Sequence, residues 1–443
     1  MGIRLSDHFT YKKLLRFVLP SIAMMAFISV YGVVDGFFVS NFAGKTSFAA
    51  INLVMPFVML LGGIGFMVGT GGTALVSKVL GEGDREKANR YFSMMVFLTL
   101  LLGVLLTAVG IAAMEPVARF LGATDAMIAD SVLYGRIVVG FTTAFMLQNV
   151  FQSFLIAAEK PKLGLLATIA AGLTNILLDA LFVGGFGWGV AGAAIATGIS
   201  QCVGGLLPLF YFLRPNDSLL RLVRTKLELA PLVKACTNGS SELMSSISSS
   251  VVSMVYNFQL LEYIGEDGVS AYGVLMYVQF IFVAIYIGYS VGCAPVIGYH
   301  YGAGNRDELK NLLRKSALLI GSAGVLLTLL ARLLASPLAS IFVGYDETLH
   351  ALTEHAFRLF SFSFLLSGFN IFTSAFFTAL NNGFVSAAIS FLRTLLFQTC
   401  CVLVLPLLFD IDGIWWAITA AEVFAFAISL TFLLTKRKKY GYM

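Results

Sequence analysis

The chain has 443 residues, 58% of them hydrophobic and 12% charged, with a formal net charge of +5 and a mean hydropathy of +0.88. Soluble domains carry about 25% charged residues, so the composition excludes a water-soluble globular protein. Apolar runs of about 20 residues or more recur from end to end without strand-like alternation, which excludes a membrane barrel and predicts spanning helices.

In chain order, Met1 to Arg16 is polar and charged, and the apolar run after it is too long for the core of a cleavable signal peptide. That run is expected to remain as the first of twelve spans. They begin near Leu14, Asn52, Phe92, Ser131, Leu163, Gly189, Leu232, Val269, Leu312, Ala356, Val385 and Gly413. Several exceed the length that a bilayer needs, so tilts or kinks are expected, notably at Pro20, Pro56 and Pro295. The five cysteines (Cys202, Cys236, Cys293, Cys400 and Cys401) have no ligand or disulfide spacing and read as small buried hydrophobes.

Basic residues set the expected orientation. Twenty-three of the 29 fall in the N-terminal segment, in the loops after spans two, four, six and eight, and in the tail from Lys436 to Lys439. The opposite side has Lys45, Arg119 and Arg332 among acids such as Glu262, Asp267, Asp346 and Asp412. Both termini are therefore expected in the cytoplasm, and the basic excess reports topology rather than a nucleic-acid footprint.

The chain also repeats itself. "LGEGDREKANRY" (Leu80 to Tyr91) and "YGAGNRDELKNL" (Tyr301 to Leu312) share a Gly-x-Gly-x-Arg frame at an offset of 221 residues. The same offset pairs Gly44 with Gly265, Ala50 with Ala271, Met55 with Met276, Gly71 with Gly292, Gly192 with Gly413 and Ala196 with Ala417. Two homologous halves, about 13–213 and 231–434, follow. Six spans each make them parallel repeats about an axis along the membrane normal, an alternating-access arrangement that favours a secondary transporter over a channel or an enzyme. The expected organisation is an N-terminal six-helix lobe (1–213), a cytoplasmic linker (214–230) and a C-terminal six-helix lobe with a basic tail (231–443).

Four stretches resemble the multidrug and toxic compound extrusion family of the multidrug/oligosaccharide/polysaccharide exporter superfamily. They are "VVDGFFVSNFAG" (Val33 to Gly44), "GTGGTALVSKVLGEGDREKANRY" (Gly69 to Tyr91), "NILLDALFVGGFGWGVAGAAIAT" (Asn175 to Thr197) and "VGCAPVIGYHYGAGN" (Val291 to Asn305). The third departs from the commoner form, which has Pro where this chain has Ala180. The resemblance implies an all-α membrane protein, twelve helices in two six-helix lobes around a central cleft. It implies export of amphipathic, often cationic drugs driven by inward protons or sodium, in a prokaryotic plasma membrane, by a monomer with no cofactor beyond the coupling ion.

Asp179 stands out among the candidate residues. A charge at the centre of a spanning helix costs about 2.5–3.5 kcal/mol on insertion scales, so such acids are paired, protonated or wet. Asn175 lies one turn earlier on the same face. In the family, a cation site in the first lobe uses oxygens from spans one, five and six, and the matching positions here are Asp35, Asn175, Asp179 and Thr197. Oxygen ligands suit a hard cation and a buried carboxyl suits a proton, so either ion fits. The competing accounts are a helix-end aspartate near the surface for Asp179, a backbone-bonded mouth residue for Asp35, and a hydroxyl bonded to its own helix for Thr197.

Glu242, in the serine-rich "TNGSSELMSSISSS", is a possible second acidic site, matching a functional acid early in span seven of some family branches. It reads equally as an acid in the first turn of a helix. Glu422 is placed to pair with Arg393 across spans eleven and twelve, while Arg136 and Arg358 sit where they would snorkel. His300 and His355 show no partner in the sequence. Met59, Phe66, Met146, Phe151, Phe154, Tyr256, Tyr277 and Phe280 are candidates for an aromatic and methionine drug pocket, or for lipid contact and helix packing. Gly65 to Gly69 and Gly288 to Gly292 have the G-x-x-x-G spacing of close helix contacts.

Two other functions fit the sequence less well. "GYSVG" (Gly288 to Gly292) matches a hydrolase nucleophile motif, but it falls inside a span instead of a strand–turn–helix. A lipid-linked oligosaccharide flippase of the same superfamily would need a more basic lining than this chain offers.

Overall fold

The computed structural model describes residues 3–42 and 45–443; Gly44, one member of the repeat pairs, and the side chain of Lys45 lie outside the described residues. In hydrocarbon the backbone must satisfy its own hydrogen bonds, and helices do so within one segment. Among the described residues there are helices and no strand. The first half holds α1 (Tyr11–Phe42), α2 (Lys45–Gly81), α3 (Arg85–Phe120), α4 (Ile128–Gly140), α5 (Thr142–Ala157), α6 (Pro161–Asp179) and α7 (Gly189–Leu213). The second holds α8 (Leu229–Tyr263), α9 (Glu266–Gly302), α10 (Arg306–Leu333), α11 (Ala335–Val343), α12 (Glu347–Phe360), α13 (Phe364–Ala379), α14 (Gly383–Phe391), α15 (Gln398–Val404) and α16 (Pro406–Tyr440). Wide π-helical turns follow α6 (Ala180–Gly185) and join α14 to α15 (Leu392–Phe397).

Ten described helical runs are long and apolar enough to cross a bilayer, and α4 with α5, bent by 54°, makes an eleventh. The twelfth expected span is α8. It is a 35-residue helix, but the serines between Ser240 and Ser253 keep its hydropathy below that of the others. It packs along α2 and α14 within the bundle. Helices α1, α2 and α9 run on through Pro20, Pro56 and Pro295. Of the cysteines, Cys293 and Cys401 are buried and Cys202 and Cys236 half-buried, while Cys400 is exposed, against the expectation that all five are covered.

The repeated Gly-x-Gly-x-Arg frame takes one shape twice. Gly83 (φ +87°) and Gly304 (φ +68°) adopt the left-handed conformation that glycine tolerates. Asp84 then accepts the Lys87 N–H at 2.9 Å and Asn305 accepts the Glu308 N–H at 3.1 Å, capping α3 and α10.

The halves meet along α1, α2, α8 and α9. Helix α1 packs on α9, α2 on α8, and α2 on α9. The 221-residue offset turns the first of these pairs into the second and the third into itself, as a two-fold axis requires. A Cβ on Gly81 would collide with the Tyr299 carbonyl, and one on Gly302 with the Lys78 carbonyl, two contacts related by the same offset. Both G-x-x-x-G segments also serve close contact: Gly65 and Gly69 lie against the α5 backbone, and Gly288 lies against the α1 backbone with Gly292 against Val18. Along α2 and α9, Val76 and Ile297 are buried near this crossing while Met59 and Phe280, also a repeat pair, are exposed further along. The seam is therefore sealed at the end where both termini lie, Phe9 beside His300 and Tyr440 beside Tyr301.

Because backbone stands where the new methyl would go, Gly302→Ala is expected to cost about 1–3 kcal/mol through overpacking. Gly273→Ala, with nothing within 4 Å of its Cβ, should be neutral or stabilising by up to about 1 kcal/mol. Thermal unfolding of the two purified variants checks the contrast.

Candidate functional site

Three of the four residues expected to bind the cation come together in the first half. Asp35, from α1, engages the side chains of both Asp179 and Asn175. Asp179 is the last residue of α6 and is fully buried, with Asn175 one turn behind it and 2% exposed. The π-helical turn that follows carries the chain away, so Asp179 is not a surface helix-end aspartate. Thr197, from α7, lies beside the Tyr134 ring, and that ring also faces both aspartates. The Thr197 hydroxyl makes no bond to its own helix.

Several oxygens of this group have no hydrogen-bond donor: Asp35 Oδ1, Asn175 Oδ1, both carboxyl oxygens of Asp179, and Thr197 Oγ1. All are sealed from solvent. Two carboxylates side by side repel unless a proton or cation joins them. An all-oxygen set of carboxylate, amide and hydroxyl is also what a hard cation takes. The arrangement has the chemistry to hold one positive charge.

The surround includes residues that the sequence reading missed. Tyr134, from α4, is 1% exposed; its hydroxyl stands beside Thr197, 3.9 Å from Met55 Sδ and within the field of both acids. Tyr31 stands near Asp35 and bonds Gln148 of α5. Neither tyrosine carries a sequence signal, since an aromatic residue in a span more often packs than binds.

Glu242 lies elsewhere. It is 13 residues into α8, so the helix-start explanation fails. With Thr70, Thr73, Ser153 and Thr378 it lines a small cavity of about 20 Å³ between the halves. Thr70 and Thr73 face Val291 and Ala294 there, their own repeat partners, so the cavity straddles the axis. The Thr73 and Ser153 hydroxyls have no partner.

The expected Arg393–Glu422 pair is present and bidentate, at 2.8 and 2.9 Å, with Asn370 adding a 2.7 Å bond to Glu422. Removing one member of such a buried pair typically costs about 3–5 kcal/mol. Arg358 bonds Glu354 at 2.6 Å. His355 does have a partner, Asp412 at 2.8 Å; the two are 57 residues apart in sequence. Of the pocket candidates, Met146, Phe151, Phe154 and Tyr256 are buried in helix packing, whereas Met59, Tyr277 and Phe280 are exposed. Ser290 of the "GYSVG" stretch is buried inside α9, far from a nucleophile elbow.

Two helical repeats sealed at one end, with charge-bearing oxygens buried in one of them, define a multi-pass membrane transporter rather than an enzyme. The MatE family model matches residues 20–181 and again 243–402. The chain belongs to that family, the multidrug and toxic compound extrusion transporters. It is 25% identical over 439 residues to the multidrug export protein MepA of Staphylococcus saprophyticus, covering 96% of this chain and 94% of that one. Against MepA of Staphylococcus aureus the identity is 23% over 416 residues, covering 93% and 91%. A solved structure described as the outward-facing conformation of a multidrug resistance MATE family transporter superimposes with a TM-score of 0.93 at 22% identity, covering 98% of each chain.

A ligand at about 100 times its Kd adds about 2.7 kcal/mol to stability. If the paired aspartates hold the ion, purified Asp35→Asn and Asp179→Asn should lose most of the stabilisation that the native protein gains from sodium or from acid. Thermal midpoints across sodium concentration and pH measure this.

Proposed function

We propose that the protein is a secondary antiporter that exports amphipathic, often cationic small molecules in exchange for inward protons or sodium. Asp35, Asn175, Asp179 and Thr197 form its cation site. The observation that carries this reading is the contact between Asp35 and Asp179 with their oxygens left without donors. The names of the staphylococcal relatives support drugs as the cargo class.

In this reading the N-terminal lobe is 1–213, the linker 214–230 and the C-terminal lobe 231–443, and the protein works as a monomer in a prokaryotic plasma membrane. The basic end, with both termini, is cytoplasmic. Ion capture by α1, α6 and α7 changes how α1 lies against α9, and so shifts the balance between the two access states. Glu242 is a second acidic site, the group that a cationic substrate meets between the lobes. The flippase alternative finds less support, because the buried cation Arg393 is already matched by Glu422.

Reconstituted in liposomes, the protein should expel a fluorescent cationic drug when a proton or sodium gradient, applied separately, is imposed. Asp35→Asn and Asp179→Asn should slow that exchange at least about tenfold, a loss of about 1.4 kcal/mol in barrier terms. Exchange at native rates in both variants would overturn the ion site.

Glu242→Gln should raise the KM for a cationic substrate about tenfold and leave an uncharged one within about twofold, as expected when a single charge contact of about 1.4 kcal/mol is removed. Initial-rate efflux with matched charged and neutral dyes measures the difference.

A further inference from the structure

The segment ahead of α1, residues 3–10, is not a loose tail. Leu5 and Phe9 are fully buried. The Leu5 N–H donates to Glu159, between α5 and α6, at 2.7 Å. Four residues on, the segment crosses to the second half. There Glu308 of α10 accepts the Phe9 N–H at 2.9 Å and bonds His8 Nδ1 at 2.6 Å. Asn311 and Lys315 of the same helix donate to the Phe9 carbonyl at 3.0 and 2.6 Å. The Phe9 ring stands edge-on to His300 at the end of α9. Within the segment, Asp7 accepts the Arg4 N–H and pairs with Lys13, which holds its shape.

The second half does the same in reverse. The linker ahead of α8 grips α3 of the first half: Arg85 donates to the carbonyls of Leu219 and Ser218, each at 3.0 Å, Asn89 accepts the Arg221 N–H at 2.9 Å, and Ser93 accepts the Val223 N–H at 2.8 Å. Each half thus sends the segment before its first helix across the seam to the third helix of the other half. The linker is tethered at both ends, by α7 and α8. The first segment is held at its far end by side chains and burial.

We propose that residues 3–10 form a releasable strap that locks the sealed end of the transporter, with Glu308 the residue that positions it. Separation of α9 and α10 from the first half pulls the strap off Glu308, Asn311 and Lys315 or strips Leu5 from Glu159. The strap therefore weighs against opening at this end until it lets go. This rests on the alternating-access part of the reading above; because the test measures separation of the halves and not transport, it stands or falls apart from the ion site and the cargo.

The test is the distance distribution between spin labels at exposed Glu86 and Lys310, on the first turns of α3 and α10, in the full-length protein with its native cysteines replaced. Glu308→Gln presents an amide that cannot accept from both Phe9 and His8 while keeping the side chain's size. It should raise the ratio of separated to sealed molecules at least about tenfold, or 1.4 kcal/mol, with an unchanged thermal midpoint. His8→Ala, which spares the Phe9 bond, should raise it less. Arg85→Ala, which removes the α3 grip on the doubly tethered linker, should leave it within about twofold. A Glu308→Gln distribution matching the native one, or an equal shift from Arg85→Ala, would overturn the strap.

Discussion

Two carboxyl groups side by side inside an apolar bundle repel unless a proton or cation joins them, and the proposed ion site rests on that constraint. Asp35 and Asp179 come from helices far apart in sequence, so only the folded bundle creates the conflict. Water cannot relieve it, because the oxygens are sealed. A proton or a small cation can, and each arrives from outside the protein. In the proposed mechanism the charge balance of the site is thus supplied by the coupling ion, which would tie its occupancy to ion supply.

The repeat makes clear how selective that device is. Under the 221-residue offset, Asp35 corresponds to Tyr256, Asn175 to Leu396, Asp179 to Cys400 and Thr197 to Ile418. The second half has no copy of the site. Its own buried acid, Glu422, already has Arg393 beside it and Asn370 behind it. One half carries two adjacent acids without a basic partner in the proposed site; the other carries an acid already paired with an arginine. The scaffold is duplicated and the chemistry is not. The shared seam is what allows a change in one half to be felt by the other.

The scaffold was largely legible in the sequence because hydropathy and repeat period are read directly from residue type. The frame shared at one offset was read from the sequence; that Gly83 and Gly304 take the same turn, and that Gly81 and Gly302 meet the helix backbone at Tyr299 and Lys78, came from the structure. Helix α8 falls short of the hydropathy of the other spans because its serines lower it without shortening the helix. The acid at its centre was read as a possible helix start for the same reason. Asp35, Asn175 and Asp179 were found through motif and spacing. Tyr134 and Tyr31 were not, because their partners are set by how helices cross. The His355–Asp412 pair and the grip of Glu308 on Phe9 were equally out of reach: contacts between residues 57 and 299 positions apart leave no local pattern.

Helix α1 joins these parts into one mechanism. It carries Asp35 toward one end, packs on α6 of its own half and on α9 of the other, and emerges at its start from the segment that Glu308 holds. In the proposed cycle a shift of α1 on ion capture would be opposed or permitted at three places along one helix. In that proposed cycle the carboxyl pair would set the demand, the α1–α9 packing would carry it across the seam, and the contacts at the sealed end would decide how much of it becomes motion. Packed interfaces of this kind switch between discrete arrangements rather than deform smoothly, so a change of one charge at one end is enough to alter which arrangement is favoured.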